Sequence, residues 1–117
     1  MTRKIPTPTR GEVWLANLDP TQGREQAGVR PCLVFSVDRF NQSPFGLVVV
    51  VPITSTQRGW QTHVEVKPPE GGLKNVSYIK CEDIRSMSTE RLIKRLDSVS
   101  SQTMAATEGR VRVILGL

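Results

Sequence analysis

Glu25 and Arg30 in "GREQAGVRPCLVFS", and Thr54 in "VPITSTQRGW", are side chains that together could break a phosphodiester. The arginine fork matches phosphate oxygens bidentately, the hydroxyl adds a hydrogen bond, and a carboxylate can accept a proton from a 2′-hydroxyl. If the apolar runs on either side of "DRFNQSPFG" pair as antiparallel strands, the start of one lies beside the end of the other, and Arg30 and Thr54 become neighbours. The same spacing also suits a plainer arrangement in which Arg30 caps a sheet, Thr54 opens a turn and Glu25 is solvated. Spacing does not choose between the two.

Other chemistries fit less well. Gly23 and Gly28 are placed like the glycines of a phosphate-binding P-loop, but Val29 and Arg30 follow where Lys and Ser/Thr are required, and Pro31 opens a strand instead of a helix. His63 is the single histidine, so one chain cannot run a paired-histidine ribonuclease mechanism. Strand alternation sets it with Glu65 and Lys67 opposite Val64 and Val66, a face expected to be solvated. Cys32 and Cys81 lie in apolar segments and read as small buried hydrophobes, with no third group to orient a Cys–His pair. One histidine and two distant cysteines give no metal-ligand spacing, so neither metal nor cofactor is expected.

These residues sit in a chain of 117, enough for one modest core. Its 16 Lys+Arg against 11 Asp+Glu give a net charge of +5, which favours a polyanionic partner. The basic start "MTRKIPTPTRGE" lacks the apolar stretch of a signal peptide, and no segment reaches membrane-spanning length; the expectation is a cytoplasmic protein without a membrane partner. Residues 1–10, with Pro6 and Pro8, read as a flexible arm, and residues 11–117 as one domain.

Glu12 to Leu18, Pro31 to Val37, Leu47 to Ile53, Thr62 to Val66 and Val76 to Lys80 read as strands, with a sixth over Ile84 to Met87. Strands at this spacing without intervening helices imply a curved antiparallel sheet closing toward a small barrel. Ser88 to Leu96 suits a helical turn or a strand. Met104, Val111, Ile114 and Leu115 can share a helical face with Ser100 as N-cap, although Gly109, Val111 and Val113 weaken that helix.

Four segments, in order and at matching spacing, carry a resemblance to a known family: "RGEVWLANLDPTQGREQAGVRP", "VVVVPITST", "YIKCEDIRSM" and "RVRVILGL". The chain resembles the MazF/PemK family of toxin endoribonucleases, the toxic halves of bacterial toxin–antitoxin pairs. The resemblance implies a mainly β, SH3-like sheet or barrel with a C-terminal helix, working as a homodimer. It implies metal-independent cleavage of single-stranded RNA at a short sequence, leaving a 2′,3′-cyclic phosphate and a 5′-hydroxyl, and a cognate acidic antitoxin as partner. Carried over by motif, the arginine of "GVRP" is Arg30, the threonine of "PITS" is Thr54, and the loop glutamate is Glu25, with Gln26 beside it. Arg24 occupies a variable loop position, and Arg58, Lys80 and Arg85 are candidate RNA contacts. Where relatives often carry Asp-Gln before Ile-Arg, this chain has Glu82 and Asp83. The rival within the same fold is a toxin that binds a protein target such as gyrase, which needs no Arg–Thr pair. A plain RNA-binding barrel would want stacking aromatics, and these are only 5% of residues.

Overall fold

β-Branched runs bounded by Gly, Pro and Asn form seven strands in the computed structural model, which describes residues 6–20, 22–23 and 25–117. They are β1 (Glu12–Asn17), β2 (Val29–Val34), β3 (Leu47–Thr54), β4 (His63–Val66), β5 (Ser77–Lys80), β6 (Arg85–Ser88) and β7 (Leu92–Ser98). A short helix α1 (Asp38–Asn41) precedes β3, and α2 (Ser101–Leu115) closes the chain. All pairings are antiparallel, in the order β4-β5-β3-β2-β1-β7, with β6 also on β3. The sheet is curved as expected but does not close into a barrel, since β4 and β7 remain its two ends. One reason is that β3 divides its far edge, giving Leu47 to Val50 to β6 and Ile53 and Thr54 to β5.

Both faces of the central strands are buried, which explains why their sequences run apolar without alternation. Val13, Leu33, Val51 and Ile53 join Val64, Val66, Ile79 and Val111 in one cluster, against which Met104 and Ala106 of α2 also pack. Trp14, Ala16, Cys32, Val34, Val48 and Val50 form the other with Met87 and Leu92. The two cysteines therefore lie in different clusters, buried and unbonded. Burial pushes the Cys32 thiol up to about 12 and the Cys81 thiol up to about 11, leaving both unreactive near neutrality.

Ser88 to Leu96 resolves into the end of β6, a one-turn 3-10 segment (Thr89–Arg91) and the start of β7. Ser88 caps that turn by accepting from the Glu90 N–H. Helix α2 has the expected cap, with the Ser100 hydroxyl accepting from the Thr103 N–H. Its packed face is Met104, Thr107 and Val111, whereas Ile114 and Leu115 remain exposed. Of the arm expected over residues 1–10, residues 1–5 lie outside the described ones. Pro8 and Arg10 are tied to the rest of the fold: the Pro8 carbonyl accepts from Asn41 Nδ2 of α1 at 3.1 Å, and the Arg10 guanidinium reaches the Phe35 carbonyl and Glu108 of α2. No helix among the described residues is long and apolar enough to cross a membrane.

Two glycines should respond oppositely to alanine. Gly72 has φ +71°, and a Cβ there would stand 3.0 Å from Leu96 Cβ and 3.1 Å from its backbone carbon, so Gly72→Ala should cost about 2 kcal/mol. Gly109 lies inside α2 with nothing within 4 Å of its would-be Cβ, so Gly109→Ala should add roughly 1 kcal/mol. Urea midpoints shifting in those opposite directions are the expected outcome.

Candidate functional site

The β2–β3 register pairs Cys32 with Pro52, and continuing it two residues brings Arg30 opposite Thr54. β5 extends the same row, because Thr54 pairs with Tyr78, which in turn pairs with Glu65 of β4. Opposite residues in neighbouring strands share a face, so a guanidinium, a hydroxyl and a phenol stand in one line across the sheet. Arg30 is exposed, and its Nε donates to the Ala27 carbonyl at 3.1 Å, so the fork is steadied by the loop that leads into it. Thr54 is nearly buried, and its Oγ1 accepts from the Thr56 N–H at 3.1 Å. That bond leaves the hydroxyl proton able to point outward.

The loop from Gln22 to Gly28 carries the carboxylate. Glu25 is exposed; its Oε1 accepts from the Gln22 N–H at 2.7 Å, and its own N–H donates to the Gln22 carbonyl at 3.2 Å. At the base, the Gly28 N–H donates to Asp19 Oδ1 at 3.0 Å, and its carbonyl accepts from the Leu18 N–H at 2.9 Å. Gly28 has φ +76°, a backbone that favours glycine where the loop re-enters the sheet. Arg24 lies outside the described residues.

A one-turn 3-10 segment, Cys81–Asp83, reaches the loop from the other side. The Gln26 N–H donates to Asp83 Oδ2 at 2.7 Å, while Arg85 Nη2 donates to the same oxygen at 2.8 Å and to the Gln26 carbonyl at 3.1 Å. Lys80 Nζ lies 4.0 Å from Asp83 Oδ2. Gln26 is therefore bonded through its backbone, and the candidate RNA contacts Lys80 and Arg85 face a carboxylate. Arg58 is different: it is exposed and lies over the Trp60 ring at 5.5 Å.

Glu25 stands between two clefts. One, of about 250 Å³, is lined by Glu25, Trp60, Lys80, Glu82 and Asp83. The second, of about 430 Å³, runs from Glu25 past Arg85 and Ser86 to Arg91. Together they flank the exposed carboxylate with cations and one large aromatic ring. Among the described residues, no group of three or more His, Cys, Asp or Glu side chains could hold a metal ion.

His63 departs from the solvated position expected for it. Its face of β4 is covered at this end by Trp60, whose ring lies 5.3 Å away, and by Glu82, whose Oε2 lies 3.0 Å from Nε2. Strand alternation correctly separates His63 from Val64, but that rule is blind to a loop folding back over the outer face. The missed residues are thus Glu82 and Asp83. The available signal was "CEDIR", in which Asp83 and Arg85 stand two apart beside an extended strand and so can face the same way.

The chain matches the family model described as PemK-like, MazF-like toxin of type II toxin–antitoxin system, over residues 9–115. It is 35% identical over 109 residues to the endoribonuclease MazF of Staphylococcus epidermidis, spanning 92% of this chain and 91% of that protein. It superposes on the crystal structure of MazF from Deinococcus radiodurans with a TM-score of 0.84 at 27% identity, covering 97% of this chain and 100% of that one. A MazE–MazF crystal structure from the same organism gives 0.79 at 27% identity, covering 97% and 99%.

Glu82 supplies a pH-dependent element beside the site. Burial pushes its carboxyl up, but hydrogen bonds from Thr62 and His63, its backbone bond and the His63 charge together outweigh burial and hold it below the ordinary 4.5. A carboxyl lowered on folding stabilises the fold above its unfolded value, and that contribution fades as pH falls through the folded one. The stability difference between wild type and Glu82→Gln should therefore shrink as pH drops below about 4.5. Urea titrations of both proteins across that range measure it.

Proposed function

The chain belongs to the PemK-like, MazF-like family of type II toxin–antitoxin toxins, and from that premise we propose that it is an endoribonuclease cutting single-stranded RNA at a short sequence without a metal. The observation that supports this reading is the β2–β3 register, which continued two residues past Cys32 and Pro52 sets Arg30 opposite Thr54, with the Glu25 loop returning to the sheet at the base of β2. Residues 11–117 would act as one toxin domain, paired as a homodimer and silenced by an acidic antitoxin that covers the loops. The likeness to a MazE–MazF structure supports that partner class. The net charge of +5 suits both an RNA strand and an acidic inhibitor.

In the mechanism, Glu25, or a water it orients, takes the proton of the 2′-hydroxyl. The freed oxygen bonds to phosphorus, charge accumulates on the phosphorane oxygens, and the bond to the 5′-oxygen breaks. Arg30 stabilises that charge with its fork and Thr54 with its hydroxyl proton. The products are a 2′,3′-cyclic phosphate and a 5′-hydroxyl, the departing oxygen taking its proton from water. Arg30 acts as a charge stabiliser because guanidinium stays protonated at neutral pH. Gln26 and, where it stands on the loop, Arg24 would line the strand's path. Exposed Arg58 over Trp60 would meet a phosphate while the ring offers a face to a base. Lys80 and Arg85 border the flanking clefts.

Long mixed-sequence RNA incubated in excess chelator should be cut by the wild type at a recurring short sequence, with 5′-hydroxyl ends. Arg30→Ala should slow that cleavage by about 100-fold or more, and Thr54→Ala by about tenfold. Near-normal cleavage by Arg30→Ala would reject its role, and intact RNA with folded wild type would turn the search to a protein target. Arg58→Ala should flatten the slope of log affinity against log salt by about 0.7, the share of one phosphate contact on a single strand; an unchanged slope would place Arg58 off the RNA path.

A further inference from the structure

We infer that Asp83 is a positioning residue for the reaction: it holds the Gln26 backbone, together with Arg85, and so fixes where the neighbouring Glu25 stands. The inference rests on the reading of the loop as part of an RNA-cleaving site, and deepens it.

Among the described residues, the loop's own bonds reach the sheet at its base and at Ala27, whose carbonyl accepts from Arg30 Nε. Glu25 is bonded through its carboxylate and its N–H to Gln22, a partner inside the same loop. The bonds at Gly28 anchor only the base, to Asp19 and Leu18. The middle of the loop is held to the rest of the chain at Gln26, whose N–H and carbonyl both go to the Asp83–Arg85 pair. The N–H belongs to the Glu25–Gln26 peptide and the carbonyl to the Gln26–Ala27 peptide, so the planes on both sides of the Gln26 Cα are held, the first of them shared with Glu25.

The grip comes from a firm support. Cys81 is fully buried, and its N–H donates to the Thr62 carbonyl at 3.3 Å. Glu82 accepts from the Thr62 hydroxyl at 2.6 Å and faces His63 Nε2 at 3.0 Å. The 3-10 turn is thus tied to the start of β4 by three bonds on the residues just before Asp83. Asp83 Oδ2 accepts from both Gln26 and Arg85, and its side chain is only 9% exposed, so water is a poor substitute for either partner. Asparagine could turn its one amide oxygen to both donors, but that oxygen is uncharged, so the bonds from Arg85 and the Gln26 N–H lose their charge assistance and Lys80 faces no carboxylate. The negative charge of a carboxylate is therefore required for the full grip.

The test compares wild type with Asp83→Asn and Asp83→Ala by residue-resolved amide exchange and by single-turnover RNA cleavage. Exchange at the Gln26 amide should rise by about tenfold in the asparagine variant, and further in the alanine one, while amides of α2 and β3 keep their protection. Cleavage should slow by about tenfold with RNA affinity changed less than about threefold, because Glu25 is displaced while the exposed cations remain. A merely structural role would loosen β3 and α2 as well, and would overturn the inference. So would wild-type protection at Gln26 in folded Asp83→Asn, which carries the test if the alanine variant fails to fold. If the wild type itself leaves RNA uncut, the premise falls on its own, and the exchange arm still decides whether Asp83 holds the loop.

Discussion

The Asp83 carboxylate is almost cut off from water, and the groups that compensate its burial tie the functional end of the molecule together. Arg85 at 2.8 Å, the Gln26 N–H at 2.7 Å and Lys80 at 4.0 Å come from β6, the β1–β2 loop and β5. Removing one partner from such a set leaves the others uncompensated. One side chain thereby sets the relation between the sheet and its charged loop. It also means that part of the chain's positive charge is committed to structure at this end, and that Arg30 and Arg58 are the cations the site presents outward.

Around that constraint the architecture separates duties. The two apolar clusters on opposite faces of β1, β2 and β3 make the register of those strands hard to slip, because a one-residue shift would exchange the clusters. A fixed register is what holds Arg30 level with Thr54. The adaptable parts, the loop and the segment through Trp60, lie at the strand ends, where reshaping leaves the core intact. Both thiols are sealed within the clusters.

Much of this was legible in the sequence where the signal is local or periodic. The apolar runs marked β1, β2, β3, β4 and β5 to within a few residues, Ser100 marked the start of α2, and the hairpin logic anticipated the antiparallel pairing of β2 with β3. What escaped was non-local. His63 looked solvated because alternation describes a strand and not what folds over it. Asp83 looked like a departure from the family pattern because its partner Gln26 is 57 residues away and its bond is to a peptide, which no side-chain pattern records. The open sheet escaped for a similar reason, since strand spacing says nothing of β3 dividing its edge between β5 and β6. Val111 could be read as a core residue, but Ile114 and Leu115 on the same stripe stay exposed.

The central claim is that the chain breaks RNA through the substrate's own 2′-hydroxyl, with Glu25, Arg30 and Thr54 serving that attack. The most direct measurement is single-turnover cleavage of a short RNA holding the mapped site, against the same strand with one 2′-deoxy nucleotide immediately 5′ of the broken bond. The account predicts that the deoxy strand binds with similar affinity and is not cut. Cleavage of the deoxy strand at a comparable rate would contradict it, because the attacking oxygen would then have to come from somewhere other than the RNA.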